Sequence, residues 1–291
     1  MAQDAKTWLI TGCSSGFGEL FVRQLRDSGH NVIATGRNAE KGLAHLVDTG
    51  ASILELDVTA PATEIEAKMS HAWSLYPNGI DVVVNNAGYV LSGAVEELTQ
   101  EETEHVFRTN FHGPMNITRA LLPHLRARGN GTLCFMSSQA AWHADAGASA
   151  YCATKAALEG AVECLSKELA IFAPNLKVLI IEPGYFRTRV FSNINHVPAR
   201  APAYAQFNAS IRDIEAGIVG NEPGDAAKAV SIMIDLINGT GVASGKEVPL
   251  RVPLGSDGWE RIRAQGESIV KICDDWEEVA KSTDLKSSPQ E

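Results

Sequence analysis

Short runs of β-branched and aliphatic residues alternate with longer helical patterns along most of this chain, and this alternation limits the folds open to it. The predicted strands are residues 7–11, 31–35, 52–56, 81–84, 132–136 and 177–182. Each gap after the first strand can hold a crossover helix. In the first gap, residues 16–28, the apolar stripe of a core-facing helix is formed by Phe17, Leu20, Phe21 and Leu25. Because strands joined by helical crossovers pair in parallel, the sequence predicts a single-domain α/β fold, a doubly wound parallel sheet with helices on both faces.

The charge balance and the apolar runs argue against two classes of protein. Lys and Arg number 25 against 35 Asp and Glu, a formal net charge of −10, and no segment concentrates the bases. We therefore expect no nucleic-acid partner. The longest apolar runs, such as residues 178–181, are far shorter than the roughly 20 residues of a membrane-spanning helix. The chain runs from Met1 into a predicted strand without the basic and apolar regions of a leader peptide, so we expect a cytoplasmic protein.

The cysteine and histidine positions favour neither disulfides nor a metal. The chain has five cysteines, and they show no CxxC or Cys/His spacing. No HExxH pair occurs among the eight histidines. We expect reduced thiols and no metal site.

Two segments depart from the alternation. Residues 185–223 are rich in proline, show no clear period, and are far longer than the usual strand-to-helix loop of about 2–6 residues. This segment is predicted to be a lid or substrate loop. The last stretch, from about Gly255, is charged, and we expect a helix followed by a polar tail from about residue 280.

A glycine-rich turn follows the first predicted strand. Its sequence, residues 11–18, contains Gly12, Gly16 and Gly18, which allow the backbone to turn sharply and to approach a ligand closely. The amides at the start of the next helix would face an anion. An ordinary tight turn explains such glycines equally well, but the position directly after strand one favours nucleotide binding.

The TGxxxGxG spacing of this turn and four later motifs resemble the short-chain dehydrogenase/reductase family. The later motifs, in order, are Asn85-Asn86-Ala87-Gly88, Asn110-Phe111-His112-Gly113, Ser138 with Tyr151 and Lys155, and Pro183-Gly184 with Thr188. The resemblance covers about residues 6–190, and residues 252–257 look like the tail of the subgroup related to 17β-hydroxysteroid and retinol dehydrogenases. It implies a Rossmann-type fold and an oxidoreductase that uses a nicotinamide cofactor.

The resemblance also implies the site residues. The catalytic set is Ser138, Tyr151, Lys155 and Asn110, with Tyr151 as proton donor, Ser138 holding the substrate oxygen, Lys155 binding the nicotinamide ribose, and the main chain at Asn110 holding a water. A purely structural role for Asn110 stays open. The cofactor-binding set is Gly12, Ser14, Ser15, Gly16, Phe17, Gly18, Arg37, Asp57, Val58, Asn86, Ala87, Gly88, Tyr151, Lys155, Pro183, Gly184, Phe186 and Thr188.

The pairing of Tyr151 with Lys155 has a physical reason of its own. The two residues are four apart in a helical stretch, so their side chains leave the same face. A free tyrosine has a pKa of about 10, and a neighbouring ammonium stabilises the phenolate. We therefore expect Lys155 to lower the pKa of Tyr151 and make it a usable acid and base. An exposed Tyr and Lys on a solvated helix is the alternative.

The end of the second predicted strand indicates which cofactor binds. Gly36 stands where the family places an acid for the ribose 2′-hydroxyl, and Arg37 follows it. An arginine suits a 2′-phosphate, so we expect NADP(H), with Ser14 adding a hydroxyl and with Asp57 and Val58 beside the adenine. A surface arginine that begins the next helix is the alternative.

These observations predict an NADP(H)-dependent ketoreductase for a bulky, apolar ketone or secondary alcohol. The apolar substrate is inferred from residues 185–223, which supply Phe186, Val190, Phe191, Ile194, Tyr204, Phe207 and Ile211. Arg187, Arg189 and Arg200 are a competing signal for an acidic substrate, and Trp142 and His143 either line the pocket or only pack. The alternatives are an epimerase or dehydratase on the same scaffold, or a catalytically silent NADP(H)-sensing protein. The resemblance further implies a homodimer or homotetramer.

Overall fold

A seven-stranded, all-parallel sheet forms the centre of the computed structural model, which describes residues 5–285. Its strands are β1 (Thr7–Ile10), β2 (Asn31–Gly36), β3 (Ser52–Glu55), β4 (Val82–Asn85), β6 (Gly131–Met136), β7 (Leu176–Pro183) and β9 (Arg251–Leu254), and the two short strands β5 (Leu91–Ser92) and β8 (Asn195–His196) pair separately. The order β3-β2-β1-β4-β6-β7-β9 reverses direction between β1 and β4. Folds of this Rossmann type bind ligands at that switch, beyond the carboxyl ends of the strands.

Helices cover both faces of the sheet. They are α1 (Gly16–Asp27), α2 (Ala39–Gly42), α3 (Ala62–Ser74), α4 (Gln100–Phe107), α5 (Gly113–Arg128), α6 (Ser149–Phe172), α7 (Ala205–Ile218), α8 (Ala226–Asn238), α9 (Ser256–Asp275) and α10 (Glu277–Lys281), with a π-helical turn at Arg108–His112 between α4 and α5. One face packs on α1 and α8, and the other on α3, α5 and α6. The doubly wound α/β prediction is confirmed.

Alternate strand residues explain why both faces hold helices. In β1, Trp8 and Ile10 enter the core with α1 and α8, while Leu9 between them enters the core with α3, α5 and α6. A strand that is apolar at every position needs cover on both sides, as parallel strands between helices have.

The six predicted strands are confirmed to within one residue at each end, but the seventh strand, β9, was not predicted. It has only four residues and contains Pro253, which lacks a backbone N–H. The structure tolerates this proline because β9 is an edge strand that pairs only with β7. On its inner side, the carbonyls of Leu250 and Leu254 accept hydrogen bonds from Ile180 and Gly184. The alternation of a strand therefore points the Pro253 nitrogen away from the sheet.

The segment 185–223 contains regular elements that its sequence did not predict, and its role as a lid or substrate loop stays a prediction. It contains a 3₁₀ turn at Phe191–Asn193, strand β8, and the fourteen-residue helix α7. The segment is anchored by Glu97, a fully buried carboxylate that accepts hydrogen bonds from the backbone N–H groups of Arg200 and Ala201. Its prolines lie between these elements rather than within them.

The predicted C-terminal helix is present as α9 and α10, and residues 282–285 follow it in exposed positions. The rest of the predicted polar tail, and residues 1–4 at the start of the chain, lie outside the described residues. No helix within residues 5–285 is long and apolar enough to cross a bilayer. Over the same range, no group of three or more His, Cys, Asp or Glu side chains is placed to hold a metal ion.

Candidate active site

A cleft of about 520 Å³ runs along the carboxyl ends of the sheet strands at the switch in strand order. Of the predicted site residues it is lined by Gly12, Ser14, Ser15, Gly16, Phe17, Arg37, Asp57, Val58, Asn86, Ala87, Gly88, Ser138, Tyr151, Lys155, Pro183, Gly184 and Thr188. Segments that are distant in the sequence therefore meet in one cavity.

The glycine-rich turn after β1 is locked to the end of β4. Thr11 Oγ1 accepts hydrogen bonds from the backbone N–H groups of Asn86 and Ala87, both at 2.9 Å. The Asn86 amide group donates back to the Thr11 carbonyl at 2.8 Å. Gly12 has φ +71°, and a Cβ there would lie 2.9 Å from Ala87 Cα. Only glycine suits this position, so the residue type follows from the packing of the turn.

The start of α1 is suited to an anion. Ser15 precedes the helix without a side-chain capping hydrogen bond, so the first-turn amides stay available at the cleft wall. A Cβ at Gly18 would lie only 2.3 Å from the Gly12 carbonyl oxygen, which shows how closely the turn packs on the helix. Bare backbone, free amides and a long cleft are what the pyrophosphate of a dinucleotide requires, and the residues fit such a cofactor.

Gly18→Ala should destabilise the protein and weaken dinucleotide binding. The new methyl group would meet the Gly12 carbonyl and Asn86 Nδ2 at 2.3 and 2.8 Å, so backbone must move. We expect a loss of about 2–3 kcal/mol in the free energy of unfolding, measured by urea denaturation. The matched control is Gly266→Ala in α9, where no atom lies within 4 Å of the added carbon. Equal stability of the two variants would contradict this account of the turn.

Three of the predicted catalytic side chains meet in the cleft. Ser138 follows β6, and Tyr151 and Lys155 lie one turn apart at the start of α6. The Lys155 ammonium lies 5.7 Å from the centre of the Tyr151 ring. It donates a hydrogen bond to the Met136 carbonyl at 2.7 Å, which ties α6 to the end of the strand that precedes Ser138.

The pKa of Tyr151 moves in the opposite direction from the one predicted. Burial raises the pKa of Tyr151 to about 12, and the nearby Ser138 hydroxyl only partly opposes this rise. Burial also lowers the pKa of Lys155 to about 8, against the attraction of Glu159. The expected lowering of the Tyr151 pKa by the Lys155 ammonium is not found, and desolvation is the largest cause of the shift. Tyr151 is protonated at neutral pH, the form in which a general acid is ready to donate.

Gly18, Asn110 and Phe186 are predicted site residues that do not line the cleft. Gly18 is buried beneath the turn. The Asn110 side chain forms hydrogen bonds within the protein. Its amide group donates to the Tyr89 carbonyl and to Thr154 Oγ1, and its oxygen accepts from the Tyr89 N–H. Phe186 is only 7% exposed and packs edge-on against Phe17, with ring centres 5.5 Å apart. Its contact with the cofactor stays a prediction.

The cleft has lining residues that sequence reasoning missed, Tyr89, His105, Asn193 and Asn195 among them. Tyr89 directly follows the Asn-Asn-Ala-Gly motif, so its place beyond β4 was available as a signal. His105 lies in α4, and no local pattern points to it.

The three arginines of segment 185–223, and Trp142 and His143, lie in different surroundings. Arg189 lines the cleft, whereas Arg200 pairs with Glu102 and Arg187 donates to the Gly220 carbonyl. Trp142 and His143 do not line the cleft. Trp142 packs inward, and its indole N–H donates to Glu182.

Together, the switch-point cleft and the Ser-Tyr-Lys cluster define an oxidoreductase of the Rossmann type. A family model described as short chain dehydrogenase matches residues 6–198. The chain is 38% identical over 202 residues to the oxidoreductase claN of Passalora fulva, an alignment that covers 68% of this chain and 89% of that protein. The chain belongs to the short-chain dehydrogenase/reductase family.

Solved structures agree with this assignment. A short-chain dehydrogenase from Streptomyces avermitilis superposes with a TM-score of 0.85 at 38% identity, covering 98% of this chain and 100% of that one. A variant of actinorhodin polyketide ketoreductase, solved with NADPH, gives a TM-score of 0.69 at 26% identity over 89% of this chain and 98% of that one. Two chains of the same fold, at 17% and 23% identity, were solved with NAD and NADH.

Proposed function

We propose that this chain is an NADP(H)-dependent ketoreductase that interconverts a bulky, apolar ketone and its secondary alcohol, with Tyr151 as the general acid and base. The observation that carries the proposal is the convergence of Ser138, Tyr151 and Lys155 in the same cleft as the glycine-rich turn. When bound, the cofactor supplies or accepts the hydride at the substrate carbon.

The chain's own residues manage the proton and the oxygen. Tyr151, protonated at neutral pH, donates its proton to the substrate oxygen as negative charge develops there. The Ser138 hydroxyl donates a hydrogen bond to the same oxygen and fixes its position. The Lys155 ammonium stabilises the tyrosinate that forms and holds the nicotinamide ribose. The proposed water on the Asn110 main chain would return protons to Lys155.

Arg37 supports the choice of NADP(H). It lines the cleft beside Gly36, at the end of β2, and no acidic side chain occupies that strand end. The guanidinium suits a 2′-phosphate, and the NADPH-bound ketoreductase is a related structure.

Arg37→Ala should weaken NADPH binding by about 10- to 100-fold, because a charge-assisted hydrogen bond is worth about 1.5–3 kcal/mol. NADH affinity should change little, since NADH has no 2′-phosphate. Isothermal titration of both cofactors measures this difference, with the surface variant Arg23→Ala as control. Equal affinity of the wild-type protein for NADH and NADPH would show that Arg37 does not read the phosphate.

The segment 185–223 supports an apolar substrate. Val190 lines the cleft, and α7 turns Phe207 and Ile211 toward a shallow depression formed with Gly93 and Gly147. Of the apolar side chains named for this segment, Val190 is the one that lines the cleft, and Phe207 and Ile211 line a separate depression.

Specificity should rise with apolar size. Across a series of ketones of increasing hydrocarbon bulk, kcat/KM for NADPH oxidation should increase, because each buried methylene contributes about 0.8 kcal/mol. A strong preference for small charged keto acids would point instead to Arg189 as an anion anchor. Silence across a broad carbonyl panel would favour the cofactor-sensing alternative.

We also propose that the chain forms a homodimer or homotetramer through α5 and α6. Ala156 and Gly160 lie exposed on α6, and no atom lies within 4 Å of a Cβ built at Gly160, so a second helix could approach closely. A monomer in light scattering at micromolar concentration would remove this proposal. The cytoplasmic location stays a prediction.

A further inference from the structure

Two buried glutamates form hydrogen bonds with residues on either side of Ser138. On one side of Ser138, the Ser137 hydroxyl donates to Glu159 Oε1 at 2.5 Å. On the other side, the Trp142 indole N–H donates to Glu182 Oε1 at 2.9 Å. Ser138 lies between these two anchors, which come from α6 and β7. The Ser138 hydroxyl itself accepts a hydrogen bond from the Ala140 N–H at 3.1 Å, and the two carboxyl groups anchor the chain on either side of it.

These carboxyl groups share a pocket that contains more acid than base. Glu159 and Glu182 are 5% and 1% exposed. From β9, Arg251 places Nε 3.3 Å from Glu159 Oε2 and 3.7 Å from Glu182 Oε1, and its Nη2 lies 2.9 Å from Glu163 Oε2. From α6, Lys155 is the other cation that acts on Glu159. The β6 end and its following turn contribute only the neutral Ser137 and Trp142.

Both glutamates cannot be ionised without a large cost. Their carboxyl oxygens lie 3.3 and 3.7 Å from the same Arg251 Nε, so two negative charges there would repel each other at short range. Burial and the neighbouring Glu159 raise the pKa of Glu182 to about 7. Below about pH 7, Glu182 is therefore mostly protonated.

We propose that Glu159 and Glu182 are positioning residues that hold the segment of Ser138 in place while Glu182 carries a proton, and that loss of this proton at alkaline pH loosens the segment. The role of Ser138 itself rests on the proposed function. With the proton gone, Arg251 contacts three carboxylates, those of Glu159, Glu163 and Glu182, and either Glu159 moves with Ser137 or Glu182 moves with Trp142. A displacement of about 1 Å at a catalytic hydroxyl costs turnover heavily.

Three variants test how kcat depends on Glu182 and on pH. Glu182→Gln keeps an acceptor for Trp142 and a donor for Glu159 but cannot ionise, so its kcat at pH 6 should stay near wild type. The ratio of its kcat to that of the wild type should then rise about tenfold between pH 6 and 8. Glu182→Ala should lose about 10- to 100-fold in kcat, with KM for NADPH unchanged. Glu163→Gln, which also contacts Arg251 but neither anchor, is the matched control and should keep the wild-type profile.

A flat ratio for Glu182→Gln, or full turnover by Glu182→Ala, would overturn the proposal. A fluorescence titration of the protein alone provides a test that needs no substrate. Subtracting the emission of the Trp142→Phe variant from that of the wild type isolates the emission of Trp142. This emission should change with pH, with a midpoint near pH 7. It should not change with pH in a protein that also carries Glu182→Gln. If this titration occurs but no carbonyl is reduced, the glutamate pair stands and the ketoreductase proposal fails. If ketones are reduced normally but the Trp142 emission does not titrate, the ketoreductase proposal stands and the glutamate proposal fails.

Discussion

Replacing Tyr151 with phenylalanine should lower turnover by about 10²- to 10⁴-fold, the usual effect of losing a general acid. The substitution keeps the ring that lines the cleft and removes the proton that the proposed mechanism transfers to the substrate oxygen. NADPH binding should survive, because the glycine-rich turn and Arg37 are untouched. Steady-state kinetics with the best ketone and titration of NADPH measure the two effects separately.

The matched control is Tyr76→Phe. The Tyr76 hydroxyl forms a hydrogen bond with Ser52 at 3.0 Å, away from the cleft lining, so its removal should affect stability slightly and turnover not at all. If the Tyr151→Phe enzyme kept more than about a tenth of wild-type activity, Tyr151 would not be the general acid.

Lys155→Ala should damage both turnover and cofactor binding. In the proposed mechanism the variant loses the cation that stabilises the tyrosinate and holds the ribose, and it leaves the Met136 carbonyl without its buried donor. We expect at least a 10²-fold loss in kcat, together with a raised dissociation constant for NADPH. The variant also removes the attraction between Lys155 and Glu159, which lies one turn later in α6.

The control for Lys155 is Lys271→Ala, an exposed lysine of α9 that pairs only with Asp275 four residues later. It should leave both measurements at wild-type values. Loss of turnover with unchanged NADPH affinity in Lys155→Ala would limit this lysine to the proton chemistry.

Local patterns predicted the part of the fold that depends on strand periodicity and helical crossovers. Strands such as β1 and β7 are apolar at nearly every position and are read directly from the sequence. Strand β9 could not be found this way, since its pairing with β7 depends on contacts across about 70 residues and Pro253 argues locally against a strand. Helix α7 was missed because the prolines around it indicated a loop, although Phe207, Ile211 and Ile218 follow a helical spacing.

The site residues were predictable where a motif fixes the backbone, and less predictable where the folded surroundings determine the direction of a side chain or its pKa. Gly12 and Asn86 are required by the turn itself, and both fall in the cleft. Phe186 lies only two residues after Gly184 but turns into the core against Phe17, and spacing alone cannot show that direction. The pKa of Tyr151 was misjudged for a related reason: a neighbouring charge is visible in the sequence, whereas desolvation depends on the folded surroundings.

The proline of β9 affects how copies of this protein can associate. An exposed sheet edge normally offers a row of donors and acceptors that another chain can extend into a continuous intermolecular sheet. At the outer side of β9, Pro253 removes a donor from the middle of a strand only four residues long. Templated strand addition is therefore blocked at this margin, and the edge is protected from the cross-β growth that produces fibrils.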